Sequence, residues 1–280
     1  MKPIHTTKQL LEKNTSPLAE QVKEAIQQKK VLTLYQPSPG RKPDETPDHY
    51  INRVRDEAKE TQIVSVPFDG QTQYVVFGVP GPIITQYGKF LLIPATVVGG
   101  VWGTHYFLFY PDLESVQTQK TVLLKISSGC YSGMVLGDMT CDCKQQLDEA
   151  EKVCVENTSG VIVEIPRQDG RGWGEYKMAN QRLMDDLGMT TMQAAQAFYG
   201  DDTRIDRRTY KECAIILRAF GFREEHTLDL ATSNPSKVNA FTALGFQVQN
   251  TRAILPSHIT EAARRNRQSK LEHWKKSSKQ

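Results

Sequence analysis

Residues 130–143 read Cys130-Tyr131-Ser132-Gly133-Met134-Val135-Leu136-Gly137-Asp138-Met139-Thr140-Cys141-Asp142-Cys143, three cysteines in the pattern C-x10-C-x-C. Three thiolates neutralise a Zn2+ ion and leave the fourth tetrahedral position open, the ligand set of a catalytic rather than a structural site. A structural site would want a fourth cysteine or histidine nearby, and none follows closely. Cys154 falls on a helical pattern and reads as a core residue. A lone cysteine is ordinarily just that; three at this spacing, in a loop carrying Gly and Asp, point to metal. Cys141-Asp142-Cys143 also falls where a loop should enter a helix, so backbone N–H groups are available to thiolate charge. Cys130, Cys141 and Cys143 are therefore the candidate ligands of one zinc ion per chain.

Short apolar runs of strand length surround this loop: Phe90 to Ile93, Tyr106 to Tyr110, Val122 to Ile126 and Val161 to Ile165. Helical patterns follow at Gln145 to Glu156, Glu175 to Leu187 and Arg208 to Phe220, the last stopped by Gly221. Strands followed by helices imply an α+β (mixed α/β) domain. Further out, Ser16-Pro17 caps an amphipathic helix and Thr46-Pro47 a second one, running to about Glu60. Asp69-Gly70, between Ile63 to Phe68 and Tyr74 to Val79, marks a β-hairpin. The expected organisation is an N-terminal extension over 1–79 with its own small structure, a catalytic domain over 80–255 and a basic tail over 256–280.

Two further motifs sit at strand-to-helix junctions. Arg167-Gln168-Asp169-Gly170-Arg171-Gly172-Trp173-Gly174 combines glycines, which permit close backbone approach, with a helix start that favours phosphate. Thr232-Ser233-Asn234-Pro235-Ser236-Lys237 is a small polar turn of the kind that binds ligands at the carboxyl end of a strand, or simply a turn. Asp206-Arg207-Arg208-Thr209-Tyr210 offers a guanidinium for phosphate and a carboxylate for proton transfer; read by itself, Asp206 is a helix cap.

Composition excludes other classes. The 280 residues carry a net charge of +3, but residues 256–280 alone contribute +5, so the body gives no sign of nucleic-acid binding. The tail is expected to be a solvated helix. No apolar run nears the roughly 20 residues that span a bilayer. Lys8, Glu12 and Lys13 interrupt any apolar core of a signal peptide. Five cysteines without such a signal argue against a disulfide framework. A cytoplasmic protein is expected, with no membrane and no nucleic-acid partner.

Taken together, these motifs resemble those of the GTP cyclohydrolase II family over roughly residues 82–255. That family carries a cysteine, ten residues, then Cys-Asp-Cys, followed by Gln-Leu and an alanine, here Gln146, Leu147 and Ala150. Its Arg-Gln-Glu-Gly-Arg-Gly appears as Arg167 to Gly172, its Asp-x-Arg as Asp206 to Arg208, and its Thr-Asn-Asn-Pro-x-Lys as Thr232 to Lys237. Thr85 to Phe90 also resemble the family's first strand. The resemblance implies a zinc enzyme of riboflavin biosynthesis. It would convert GTP to 2,5-diamino-6-ribosylamino-pyrimidinone 5'-phosphate, formate and pyrophosphate, with Mg2+ on the substrate phosphates. It implies nucleotide contacts from Lys125, Gln146, Asp169, Gly170, Arg171, Thr232 and Lys237. Asp206 would be the proton acceptor, Arg208 the group engaging the α-phosphate, and the protein a homodimer.

The chain departs from the family where the base should be read. The family's Arg-Val-His-Ser-Glu is Lys125-Ile126-Ser127-Ser128-Gly129 here, which keeps one positive charge and loses the histidine and the acidic side chain. The Thr-Gly-Asp after the first cysteine becomes Ser132-Gly133-Met134. Thr140 and Lys144 flank Cys-Asp-Cys in place of Arg and Gly, the catalytic tyrosine falls on Arg182, and about three extra residues precede Asp206. Exchanging a buried hydrogen-bonding group can discriminate substrates by about 10⁴-fold. Two alternatives therefore stand beside GTP: the same hydrolysis on another purine or a pyrimidine (uracil-type) nucleotide, or a non-catalytic nucleotide-binding paralogue.

Overall fold

The computed structural model describes residues 16–38, 40–200 and 205–277. In chain order its elements are α1 (Pro17–Gln27), α2 (Pro47–Glu57), β1 (Gln62–Phe68), β2 (Gln71–Phe77), β3 (Gly81–Ile84), β4 (Lys89–Val97), β5 (His105–Tyr110), α3 (Leu113–Gln117) and β6 (Thr121–Ser128). Then come α4 (Tyr131–Met134), α5 (Cys143–Glu156), β7 (Gly160–Ile165), α6 (Lys177–Leu187), α7 (Thr191–Tyr199), α8 (Lys211–Ala219), β8 (Thr227–Ala231), α9 (Pro235–Ala243), β9 (Gln247–Arg252) and α10 (Glu261–Ser277).

All strands join one mixed sheet in the order β1-β2-β4-β5-β7-β6-β8-β9, with β3 paired to β4. The first five of that order run antiparallel, and β7, β6, β8 and β9 are parallel neighbours. Parallel pairing requires crossovers, and α5, the helices from α6 to α8, and α9 supply them. Val122 through Ile126 are buried on both faces of the sheet: Val122, Leu124 and Ile126 pack in the cluster that contains Cys213 to Leu217 of α8. Leu123 packs with Ile162 of β7 and Cys154 of α5. Two covered faces explain why β6 reads as an apolar run that only Lys125 interrupts.

The hairpin turn lies at Asp69 and Gly70, whose φ angles of 53° and 71° suit the two-residue turn that follows strand twist. Ser16 and Thr46 cap α1 and α2 through the backbone N–H of Ala19 and His49. The described part of the N-terminal extension carries the two helices and the hairpin, and the hairpin joins the main sheet. β2 pairs with β4, and Phe77 lies 5.0 Å from the Phe220 ring, which also touches Tyr35, Phe107 and Phe109. Burial of shared aromatic surface fuses the hairpin to the rest. Residues 1–15, and residues 201–204 shortly before Asp206, lie outside the described residues.

Candidate metal and nucleotide site

The loops that leave the carboxyl ends of β6, β7 and β8 open into one cavity of about 490 Å3. Three adjacent parallel strands thus bring together the three motifs that the sequence keeps far apart.

The loop after β6 holds the cysteines. Cys130 follows Gly129, and Cys143 opens α5. The sulfurs of Cys130, Cys141 and Cys143 all lie within 4.8 Å of one another, the one such cluster of possible ligands among the described residues. Cys130 and Cys141 are 3.8 Å apart, and two sulfurs each about 2.3 Å from a tetrahedral zinc would be separated by about 3.8 Å. Gly133 makes the approach possible: a Cβ there would lie 2.2 Å from the Cys141 sulfur. The thiols also conflict as acids. Hydrogen bonds from Cys141 and Cys143 drive Cys130 well down, while the bond to Cys130 pushes Cys141 and Cys143 up. A bound dication removes that conflict by stabilising all three thiolates. The residues fit zinc.

Lys177 is a neighbour that the sequence did not single out. Its Nζ donates to the Cys130 sulfur at 3.3 Å and lies 3.5 Å from Asp138 and 3.6 Å from Asp169. The close approach of Gly170, whose Cβ would lie 2.8 Å from the Lys177 Cβ, is set by the fold and left no signal in the sequence.

The loop after β7 turns through left-handed backbone at Gly170 (φ 57°), Arg171 (φ 61°) and Gly172 (φ 83°). Gly172 is required by close packing, since a Cβ would lie 3.2 Å from the Arg208 backbone N. Arg171 reaches Thr191 Oγ1 at 3.1 Å, and burial, reinforced by the charge of Arg208, lowers it to about 10. Asp169 is raised by burial and by Cys130.

Asp206 does not cap α8, which begins at Lys211. Its Oδ1 accepts from the backbone N–H of Arg208 at 3.1 Å and from Arg208 Nε at 2.8 Å, and its Oδ2 accepts from the other arm. Burial works against the Asp206 carboxylate, but Arg208 outweighs it and holds the group below its usual range. This local pairing is why the helical pattern read from Arg208 starts three residues late.

In the loop after β8, Asn234 caps α9 and accepts from Ser236 N at 2.9 Å, while Thr232 Oγ1 accepts from Asn234 N at 3.0 Å. The turn is present, and Thr232 and Lys237 within it line the cavity. Lys237 is buried and donates to the Ile126 carbonyl at 2.7 Å; burial first, then Lys125 and Arg208, depress it strongly. Lys125 donates to Gln146 Oε1 at 3.3 Å and is lowered by burial to about 8. Four cations, Lys125, Arg171, Arg208 and Lys237, therefore face one cavity, with Asp206 the only carboxylate seen to pair with any of them among the described residues. Such a set is completed by an anionic ligand.

The tail reading is corrected. α10 is a helix, but it walls the cavity with Asn266, Arg267, Lys270 and Leu271 instead of standing in solvent. Asn266 donates to the Thr140 carbonyl at 2.7 Å, Thr260 donates to the Met139 carbonyl, and Arg267 lies 3.5 Å from Asp142. The sequence showed the charge of this segment, and charge alone does not reveal a docked face. Arg182 is exposed on α6 and absent from the cavity wall. Lys144 pairs with Asp148 away from the thiols.

No described helix is long and apolar enough to cross a membrane. A model of the GTP cyclohydrolase II family matches residues 85–253. Riboflavin biosynthesis protein RibBA of Chlamydia muridarum is 31% identical over 196 residues, 69% of this chain and 43% of that protein. GTP cyclohydrolase-2 of Campylobacter fetus is 30% identical over 163 residues, 58% of this chain and 77% of the relative. GTP cyclohydrolase-2 of Vibrio vulnificus is 33% identical over 161 residues, 56% and 75% respectively. The match thus spans less than half of the RibBA length and about three quarters of the shorter relatives. With its cysteine loop, glycine-rich turn and Asp-x-Arg pair gathered around one cavity, and a family match over most of the sheet, this chain belongs to the GTP cyclohydrolase II family.

Proposed function

We propose that the chain is a zinc-dependent cyclohydrolase that opens the base of a nucleotide, with GTP as the first candidate substrate and formate, pyrophosphate and the diaminopyrimidinone ribosyl phosphate as products. The observation that carries this is the placement of three mutually touching thiols and four cations around a single cavity. Zinc held by Cys130, Cys141 and Cys143 would supply a Lewis acid able to activate water. Lys125, Arg171, Arg208 and Lys237 bind and orient the phosphates, with Mg2+ accompanying them. Arg208 offers its guanidinium to the α-phosphate, and Asp206, held ionised by Arg208, is poised to take a proton. Asp169 and Gly170 approach the nucleotide from the turn after β7, Gln146 from α5, and Thr232 from the loop after β8. The proposal places the chain in the cytoplasm, where thiols stay reduced, in riboflavin biosynthesis, and as a homodimer.

A second reading keeps the site and changes the base. Ser127 and Gly129 at the exit of β6, and an exposed Arg182 where the family has its tyrosine, favour another purine or a uracil-type pyrimidine nucleotide. The deciding experiment incubates zinc-loaded protein with GTP and Mg2+ and follows formate and pyrophosphate together. Release of both supports GTP hydrolysis. Pyrophosphate alone shows phosphate chemistry without ring opening, and neither product moves the assignment to another nucleotide.

A further inference from the structure

Lys177 is the first residue of α6, a poor place for a cation, because the N-terminal turn already carries the positive end of the helix dipole. Helix preference does not explain it, and its partners do. The ammonium donates to the Cys130 sulfur at 3.3 Å and to the Ser132 hydroxyl, and it lies 3.5 Å from Asp138 Oδ2 and 3.6 Å from Asp169 Oδ1. Asp138 is itself pinned, accepting from Thr140 N at 2.9 Å and from the Thr140 hydroxyl at 2.6 Å. The Lys177 side chain is only 13% exposed and lines the cavity. Gly170 admits it: a Cβ there would meet the Lys177 Cα at 3.3 Å, so a larger residue would push the start of α6 away from the cysteine loop.

Two charges that the family pattern places in the cysteine loop are missing here, with Met134 for an aspartate and Thr140 for an arginine. Asp138 and Lys177 bring one of each sign back to the same loop from other positions. Zinc held by three thiolates carries one net negative charge, and an ammonium hydrogen-bonded to one of those thiolates balances it. An N–H donor on a ligating sulfur also draws electron density from it and leaves the metal a stronger Lewis acid. We propose that Lys177 is a positioning residue of the metal centre: its ammonium, held by Asp138 and Asp169, bonds the Cys130 thiolate, neutralises the three-thiolate zinc site and keeps it electrophilic. The inference rests on the zinc reading above and adds the group that tunes it. Lys177 acts through Cys130 and is not itself a ligand.

The test takes the full chain, strips it of metal, titrates it with Zn2+ against a chromogenic chelator, and then loads it with Co2+ as a spectroscopic stand-in. Lys177→Met is expected to weaken zinc binding by about 10- to 100-fold, the range for losing a group bonded to a metal ligand. In the Co2+ form its sulfur-to-metal charge-transfer band should move to longer wavelength, because a thiolate without its N–H donor gives up electrons more readily. Lys177→Arg, which keeps a donor and the charge, should return both readouts most of the way to wild type. Lys144→Met removes an equal charge from the same segment, but from a lysine paired with Asp148, and should change neither. Thermal midpoints of the metal-free variants separate a lost contact from a lost fold: a merely structural lysine would lower the midpoint and leave the band in place. Should Lys177→Met not fold, Lys177→Gln keeps the bulk without the charge, and its zinc affinity decides. An unmoved band or an unchanged affinity in the folded variant overturns the inference and leaves the zinc reading standing. Failure of the wild type to bind either metal overturns the zinc reading and the inference with it.

Discussion

Arg267, near the middle of the C-terminal helix, sets its guanidinium 3.5 Å from the carboxylate of Asp142, the residue between the last two of the three clustered cysteines. Asp142 is buried, its Oδ1 accepts from Gln146 at 2.9 Å, and its Oδ2 has no hydrogen bond of its own. Removing the cation leaves a buried carboxylate without its counter-charge. Arg267→Met is expected to destabilise the fold by about 1–3 kcal/mol and to weaken zinc binding. Urea midpoints and competition with a chromogenic chelator read the two effects. Arg265→Met, two residues earlier and exposed on the opposite side of the helix, is the control and should change neither.

Gly133 lies against the metal loop so closely that any side chain would strike the Cys141 sulfur. Gly133→Ala should therefore lose zinc as completely as Cys141→Ser, although no ligand has been touched. Metal analysis of the purified variants gives the answer. Full retention of zinc by Cys141→Ser would remove that thiol from the ligand set.

Arg208 lines the cavity, bonds to Asp206 and Ser128, and makes no hydrogen bond to a thiol. Arg208→Ala should abolish turnover and leave zinc in place. Steady-state rates with parallel metal analysis test this, and unchanged turnover would take Arg208 out of the mechanism.

His105 is fully buried in β5, with Nδ1 3.0 Å from the Gly103 carbonyl and Nε2 without a partner. Burial lowers it to about 4 from an ordinary 6.5. Between those values the unfolded chain binds the proton that the folded chain refuses, so stability is full above pH 6.5 and declines as pH falls towards 4. His105→Gln should flatten this part of the stability profile, measured by urea denaturation across that pH window.

The frame and the chemistry were legible to different depths. The hairpin at Asp69-Gly70, the capped helices at Ser16 and Thr46, and strands β5 to β7 follow from local signals that the chain satisfies by itself. The three motifs were visible because glycine, cysteine and arginine carry backbone and ligand requirements in their identities. Lys177, Glu164 and the docked face of α10 were not visible. Lysine and glutamate look alike whether solvated or turned inward, and only the pairing of β6 with β7 puts Glu164 opposite Ser127. The C-terminal helix was misread for the same reason: its net charge is a property of the whole segment, and its docked side is a property of Asn266 and Arg267. The contact of Phe77 with Phe220 was not legible because it joins positions more than 140 residues apart.

The three loops at the carboxyl ends of β6, β7 and β8 divide the labour of recognition by position. The turn after β7 and the loop after β8 keep the residues expected to hold phosphate. The departures at Ser127, Gly129, Met134, Thr140 and Lys144 lie between the end of β6 and the first turn of α5, with Arg182 and the residues before Asp206 as further departures beyond β7. Such a layout lets evolution retune one loop as a replaceable cassette. The strands beneath it, and the grip on the common ribose-phosphate handle, need not change when the base does.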